Sequence, residues 1–116
     1  MKKYSYVVWS MKKGLSETCY RFFSILGNPT RLAILEALDG GPMNVTQLAE
    51  ALRQEQSMIS HNLRPLVHCR FVHVERQGKE RIYTSNGETV DALLSVVENH
   101  AKKYCPTGGR CTMREG

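Results

Sequence analysis

Three observations predict a mainly helical domain carrying one small β-hairpin. Apolar residues recur at helical spacing in six stretches; β-branched and aromatic runs occur as a pair flanking Gln77-Gly78-Lys79-Glu80; and 116 residues suffice for one core. Hydrophobic residues at 41% and charged residues at 23% are ordinary globular values and exclude a disordered or fibrous class. Sixteen Lys and Arg against 11 acids give a net charge of +5, which suits a polyanionic partner. The longest uncharged apolar stretch, Tyr4 to Met11, falls far short of the ~20 residues of a membrane-spanning helix. No small-residue cleavage site follows it, so a cytoplasmic protein without a membrane partner is expected.

In chain order, residues 1–14 fit a helical stripe through Tyr4, Val7, Val8, Met11 and Leu15, although the Tyr-Ser-Tyr-Val-Val-Trp content favours a strand; a helix is expected. From Ser16, the positions Cys19, Phe22, Phe23 and Leu26 continue at helical spacing until Gly27. Asn28 can cap the next helix with Pro29 at its first position, and Thr30 to Leu38 should bury Leu32, Ile34, Leu35 and Leu38. Asp39-Gly40-Gly41-Pro42 ends it. Asn44 and Gln47 have capping-box spacing for a short helix through Leu52, with Leu48, Ala51 and Leu52 inward.

After a tight turn at Arg53-Gln54-Glu55, a helix from Gln56 to about Cys69 buries Ile59, Leu63, Leu66 and Val67. Its outward stripe carries Ser57, Ser60, His61, Arg64 and His68. Phe71 to Arg76 and Arg81 to Thr84 form the hairpin. Ser85 and Glu88 have the spacing of a second capping box, for a helix from about Asn86 to Tyr104. Its long stripe of Val90, Leu93, Leu94, Val97, Ala101 and Tyr104 calls for a partner helix. The domain should therefore span residues 1–104, with a cysteine-containing tail over 105–116.

Short helix, tight turn, polar-faced helix and hairpin make the winged helix-turn-helix layout, in which the second helix enters the major groove of DNA. Such a helix needs small residues in its first turns and donors that reach bases and phosphates, and Ser57, Ser60, His61 and Arg64 supply both. Between Arg53 and Arg81 there are six Lys or Arg against three Glu, so the positive surplus is local to this face.

On these residues the chain resembles the ArsR/SmtB family of dimeric winged-helix repressors, over roughly residues 20–104. Leu26-Gly27-Asn28-Pro29-Thr30-Arg31-Leu32-Ala33-Ile34-Leu35 is similar to the family's "ALADPTRLRIL" stretch. Gln56-Ser57-Met58-Ile59-Ser60-His61-Asn62-Leu63-Arg64-Pro65-Leu66 is similar to its "QSTVSHHLRLL" recognition helix, and Arg76 to Tyr83 to its "REGRRVYY" hairpin. The resemblance implies that Gln56, Ser57, Ser60, His61 and Arg64 touch operator DNA, that Lys79 and Arg81 meet phosphates, and that the first and last helices form a homodimer. Two departures stand out. Pro65 removes an amide donor inside the recognition helix, predicting a bend or an early finish, and Glu55 stands where the family often has a capping serine.

Family members are released from DNA by metal ions, metalloids or reactive sulfur species. The family's "ELCVCDL" cysteine pair is absent, since Pro42-Met43-Asn44-Val45-Thr46-Gln47-Leu48 occupies that segment, and of its last-helix zinc site only Asp91, Glu98 and His100 remain. Four cysteines without a secretory signal are expected to be thiols or metal ligands. Cys19 and Cys69 fall in apolar stripes as small core residues, which leaves Cys105 and Cys111 across a Gly-Gly loop. Paired thiolates suit As(III), Sb(III), Cd(II) or Zn(II) as inducer, with Cys19 or His100 as a third ligand; no cofactor is required for DNA binding. The same thiols could instead bridge on oxidation or persulfidation, favoured by Lys102, Lys103 and Arg110. No glycine-rich phosphate loop, nucleophile elbow or HExxH occurs, so an enzyme is not expected. The alternative from another class is a winged-helix protein-interaction module that binds no DNA.

Overall fold

The computed structural model describes residues 20–105. Residues 20–26 are helical (α1) and are followed by α2 (Pro29–Leu38), α3 (Val45–Leu52) and α4 (Gln56–His68). The hairpin strands β1 (Val72–Gln77) and β2 (Glu80–Ser85) come next, then α5 (Gly87–Tyr104). This is a winged helix-turn-helix. The helix expected over residues 1–14 and the start expected at Ser16 lie outside the described residues.

Local chemistry explains the helix starts. The Asn28 side chain accepts from the Arg31 amide at 3.1 Å, and Pro29 at the first position forfeits no bond. The Asn44–Gln47 capping box forms as expected, each side chain accepting the other's backbone N–H at 2.8 and 2.9 Å. Both α3 and α4 end in the same 6→1 and 5→2 bonding, with an arginine in the left-handed region: Arg53 at φ 57° and Arg70 at φ 67°. Glycine is the usual residue at that position, so two exposed arginines hold backbone conformations that L-residues disfavour.

The hairpin closes through a two-residue turn, Gly78-Lys79, with Gln77 opposite Glu80. Gly78 holds φ +65°, the backbone hand such a turn requires. The opposite edge of β2 is also used, because Met43 and Tyr83 exchange both backbone bonds at 3.0 and 2.8 Å. The loop before α3 thereby fixes the hairpin to the helix-turn-helix unit. The core gathers Ile34, Leu35 and Leu38 of α2, Leu48 of α3, Ile59, Leu63 and Leu66 of α4, and Val90 of α5. Phe22 of α1 meets the Phe71 ring edge-on at 5.0 Å, tying α1 to the start of the hairpin.

Several expectations are corrected. Leu32 is 41% exposed rather than buried, because α2 presents Ile34, Leu35 and Leu38 to the core and carries Leu32 on its outer side. In α3 the buried alanine is Ala49, not Ala51, and Leu52 is half-buried. Val67 is likewise half-buried. The Ser85–Glu88 capping box does not form: Ser85 is taken into β2 opposite Val72, and α5 begins at Gly87 behind Asn86, which makes no side-chain cap bond. The Asn86 amide instead donates to the Arg70 carbonyl at 2.8 Å. Helix α4 runs through Pro65 to His68, so the proline does not finish it early. Of the α5 stripe, Val90 is buried and Leu93 and Leu94 are half-buried, whereas Val97 and Tyr104 lie more than half exposed.

Candidate nucleic-acid interface

Helix α4 is held from behind by a polar clamp. Asn62, 4% exposed, accepts from Arg31 Nε at 2.9 Å and donates to the Met58 carbonyl at 3.0 Å. The same guanidinium donates through a terminal nitrogen to the Ile25 carbonyl at 3.2 Å. One arginine therefore joins the end of α1, the start of α2 and the middle of α4, and a charge-assisted bond in a shielded setting fixes the α4 position more firmly than apolar packing alone. A second polar tie, between Thr30 Oγ1 and the Gln54 amide group at 3.3 Å, links α2 to the turn before α4.

With its buried side so fixed, α4 presents Gln56, Ser57, Ser60, His61 and Arg64 to solvent, all exposed as expected. Gln56 Nε2 donates to Thr46 Oγ1 at 3.2 Å, so this residue also ties α3 to the opening of α4. His68 is exposed one turn beyond Arg64, and His73 is exposed on β1.

The strand register reveals the second wall. Cross-strand partners share a face, and faces alternate, so Val72, Val74 and Tyr83 lie on the core side and Arg76 and Arg81 continue that same side toward the tip. Glu75 and Glu80 fall on the other face. Between α4 and this side lies a groove of about 570 Å³, with Ser60, Arg64 and His68 on one wall, Val74, Arg81 and Tyr83 on the other, and among the described residues no carboxylate lines it. Like charges directly opposite on a hairpin are unfavourable, so the Arg76–Arg81 pair is a stability cost that a polyanion would offset. Arg76, which the sequence reading counted in the local positive surplus without assigning it a contact, is placed on the groove side by the register. Lys79 is exposed in the turn itself, and the Asn44 amide donates to Glu80 at 3.4 Å, tying the far hairpin face to α3.

The sensing residues are less gathered. Cys105 is a half-buried free thiol immediately after α5, and His100 is exposed with its ring 4.9 Å from that of Tyr104. Cys19 and Cys111 lie outside the described residues. Among the described residues no group of three or more His, Cys, Asp or Glu could hold a metal ion. Cys69 is half-buried against the core. Among the same residues no helix is long and apolar enough to cross a membrane.

Comparison with known proteins bears on this geometry. Residues 28–74 match the family described as bacterial regulatory protein, arsR family. The HTH-type transcriptional regulator NmtR of Mycobacterium tuberculosis is 40% identical over 77 residues, covering 66% of this chain and 64% of that protein, so the chain spans a little under two thirds of its length. A probable mercury resistance operon repressor of Streptomyces lividans is 34% identical over 100 residues, covering 86% and 80% of the two chains. The arsenical resistance operon repressor of Staphylococcus xylosus is 31% identical over 69 residues, covering 60% and 66%. In structure, the homodimeric winged helix-turn-helix DNA-binding domain from Mycobacterium bovis superposes with a TM-score of 0.75 at 27% identity, covering 89% of this chain and 94% of that one.

Proposed function

Because the chain belongs to the arsR family of bacterial regulatory proteins, we propose that it is a homodimeric transcriptional repressor that grips double-stranded operator DNA with α4 and the hairpin. The observation that carries this is the groove between Ser60 and Arg64 on one side and Arg81 on the other, which no acid among the described residues lines. In this reading Gln56, Ser57, Ser60 and His61 meet base edges from the first turns of α4. Arg64, Arg76, Lys79 and Arg81 meet phosphates, where a guanidinium can bond two oxygens at once. Glu55 precedes α4 without a capping bond, so the first amides of the helix stay open to a phosphate.

The second copy has a surface to use. Tyr20 and Phe23 on α1, with Val96, Val97 and Tyr104 on α5, are large apolar side chains left more than half exposed. Burying them against a partner copy would set the two α4 helices at half-sites one DNA turn apart.

Cys105 and Cys111, with Cys19 or His100 as a third ligand, form the inducer site in this reading. Thiolates favour As(III), Sb(III), Cd(II) or Zn(II), and two of the relatives are named for mercury and arsenical resistance. Closure of the tail on the inducer repacks the dimer helices and moves the two α4 helices off their spacing. The same two thiols would also serve a disulfide or persulfide switch.

The test is titration of the protein against a site selected from random duplex DNA, across salt concentrations. The log–log slope should be about −0.9 per phosphate contact, and Arg64→Ala should weaken binding by about 1–3 kcal/mol. Cys105→Ser with Cys111→Ser should leave binding intact and abolish release by arsenite or Cd(II). No enrichment of any duplex at low salt would overturn the reading in favour of a protein-interaction module.

A further inference from the structure

Arg64 and His68, one turn apart on α4, form a ridge between two concavities. On one side lies the groove facing the hairpin. On the other, α4 and α1 border a second cavity of about 650 Å³. We propose that this second cavity binds a small organic anion with an apolar body, and that its occupant competes with DNA for Arg64.

The lining dictates the ligand class. Arg21 and Ser24 of α1 line it together with Arg64 and His68 of α4, so two arginines, a serine and a histidine from separate elements border one space. Among the described residues no Asp or Glu lines it, and the ion pair within 4.0 Å is Lys102–Glu98, remote from this cluster in the chain. Cations brought together without a counter-charge repel one another, and an anion seated among them removes that cost. A carboxylate matches the guanidinium fork in bidentate fashion. The half-buried Ile25, Pro65 and Cys69, with the exposed Tyr20 at the edge that also borders the apolar α1 surface, supply apolar lining, which an inorganic ion would leave uncovered and an aromatic or aliphatic body would cover. The volume falls within the ~300–1,000 Å³ of ordinary small-molecule sites.

The regulatory consequence follows from the shared ridge. A guanidinium turned toward a carboxylate on the α1 side is withdrawn from the hairpin-side groove, so anion and DNA each lower the affinity of the other, reciprocally. This competition rests on the assignment of Arg64 to the DNA face; the binding of the anion does not.

Salicylate is the probe, with acetate and inorganic phosphate at matched ionic strength as controls, followed by amide NMR shifts and calorimetry on the full chain. Saturable salicylate shifts confined to α1 and the second half of α4, well beyond those from either control, are expected. Arg21→Ala should weaken salicylate about tenfold, as for loss of one charge-assisted hydrogen bond, while leaving DNA affinity unchanged. Ser24→Glu, which places a carboxylate among the cations from an exposed position, should block salicylate with the fold intact. Equal shifts from all three anions, or wild-type salicylate affinity in both variants, overturns the site. Equal salicylate affinity for the free and DNA-bound protein overturns the competition. A protein that binds no DNA yet retains Arg21-dependent salicylate binding sinks the repressor reading alone.

Discussion

Truncating Asn62 to alanine removes the buried centre of the clamp behind α4. Two hydrogen bonds disappear, one from Arg31 Nε at 2.9 Å and one to the Met58 carbonyl at 3.0 Å. The first involves a charged donor and contributes about 1.5–3 kcal/mol, the second about 0.5–1.5 kcal/mol. Arg31 is half-buried and keeps its bond to the Ile25 carbonyl at 3.2 Å, so water recovers part of the loss. The net destabilisation should be about 2–3 kcal/mol. Urea unfolding at fixed protein concentration is the assay, since the proposed dimer would make apparent stability depend on concentration. The midpoint should fall with an unchanged slope. Arg31→Ala should cost a similar amount, and the double variant should lose less than the sum of the two single losses, by about the Arg31–Asn62 bond that both remove. A loss below about 0.5 kcal/mol for Asn62→Ala, or full additivity in the double variant, refutes the clamp.

The other predictions turn on strain, charge and assembly. Arg53→Gly relieves a residue at φ 57° and should raise stability by about 1 kcal/mol in the same urea assay. Arg76→Glu turns the like-charge pair with Arg81 into an opposite-charge pair, so hairpin stability should rise by about 0.2–1 kcal/mol while DNA affinity falls by more than tenfold. Thermal unfolding and operator titration thus move in opposite directions. Val97→Glu, on the exposed apolar stretch of α5, should shift sedimentation from dimer to monomer and with it weaken operator binding, while secondary structure is retained.

Features decided within three or four residues were legible in the sequence. Asn28 with Pro29, and Asn44 with Gln47, determine their helix starts by local bonds that need no tertiary context. The α4 stripe was legible for the same reason, since its apolar positions recur cleanly enough to fix which side faces outward. What escaped depends on distant partners. Asn62 reads like any polar helix residue until Arg31, 31 positions earlier, is brought beside it. Ser85 and Glu88 have correct capping spacing, yet the strand claims Ser85 and the Arg70 carbonyl claims the neighbouring Asn86 amide. In α3, alternating small and large apolar residues allow two phases, and packing against its neighbours selects Ala49 over Ala51. Arg76 falls on the groove side only once the turn length sets the register opposite Arg81.

The most direct measurement is photo-cross-linking from a benzophenone side chain placed at Ser57, in the first turn of α4, with the protein bound to duplex selected from a random pool. Cross-links should map to bases in two half-sites about 34 Å apart, one for each copy. A stable complex that yields no base cross-link from this position would show that α4 does not enter the groove.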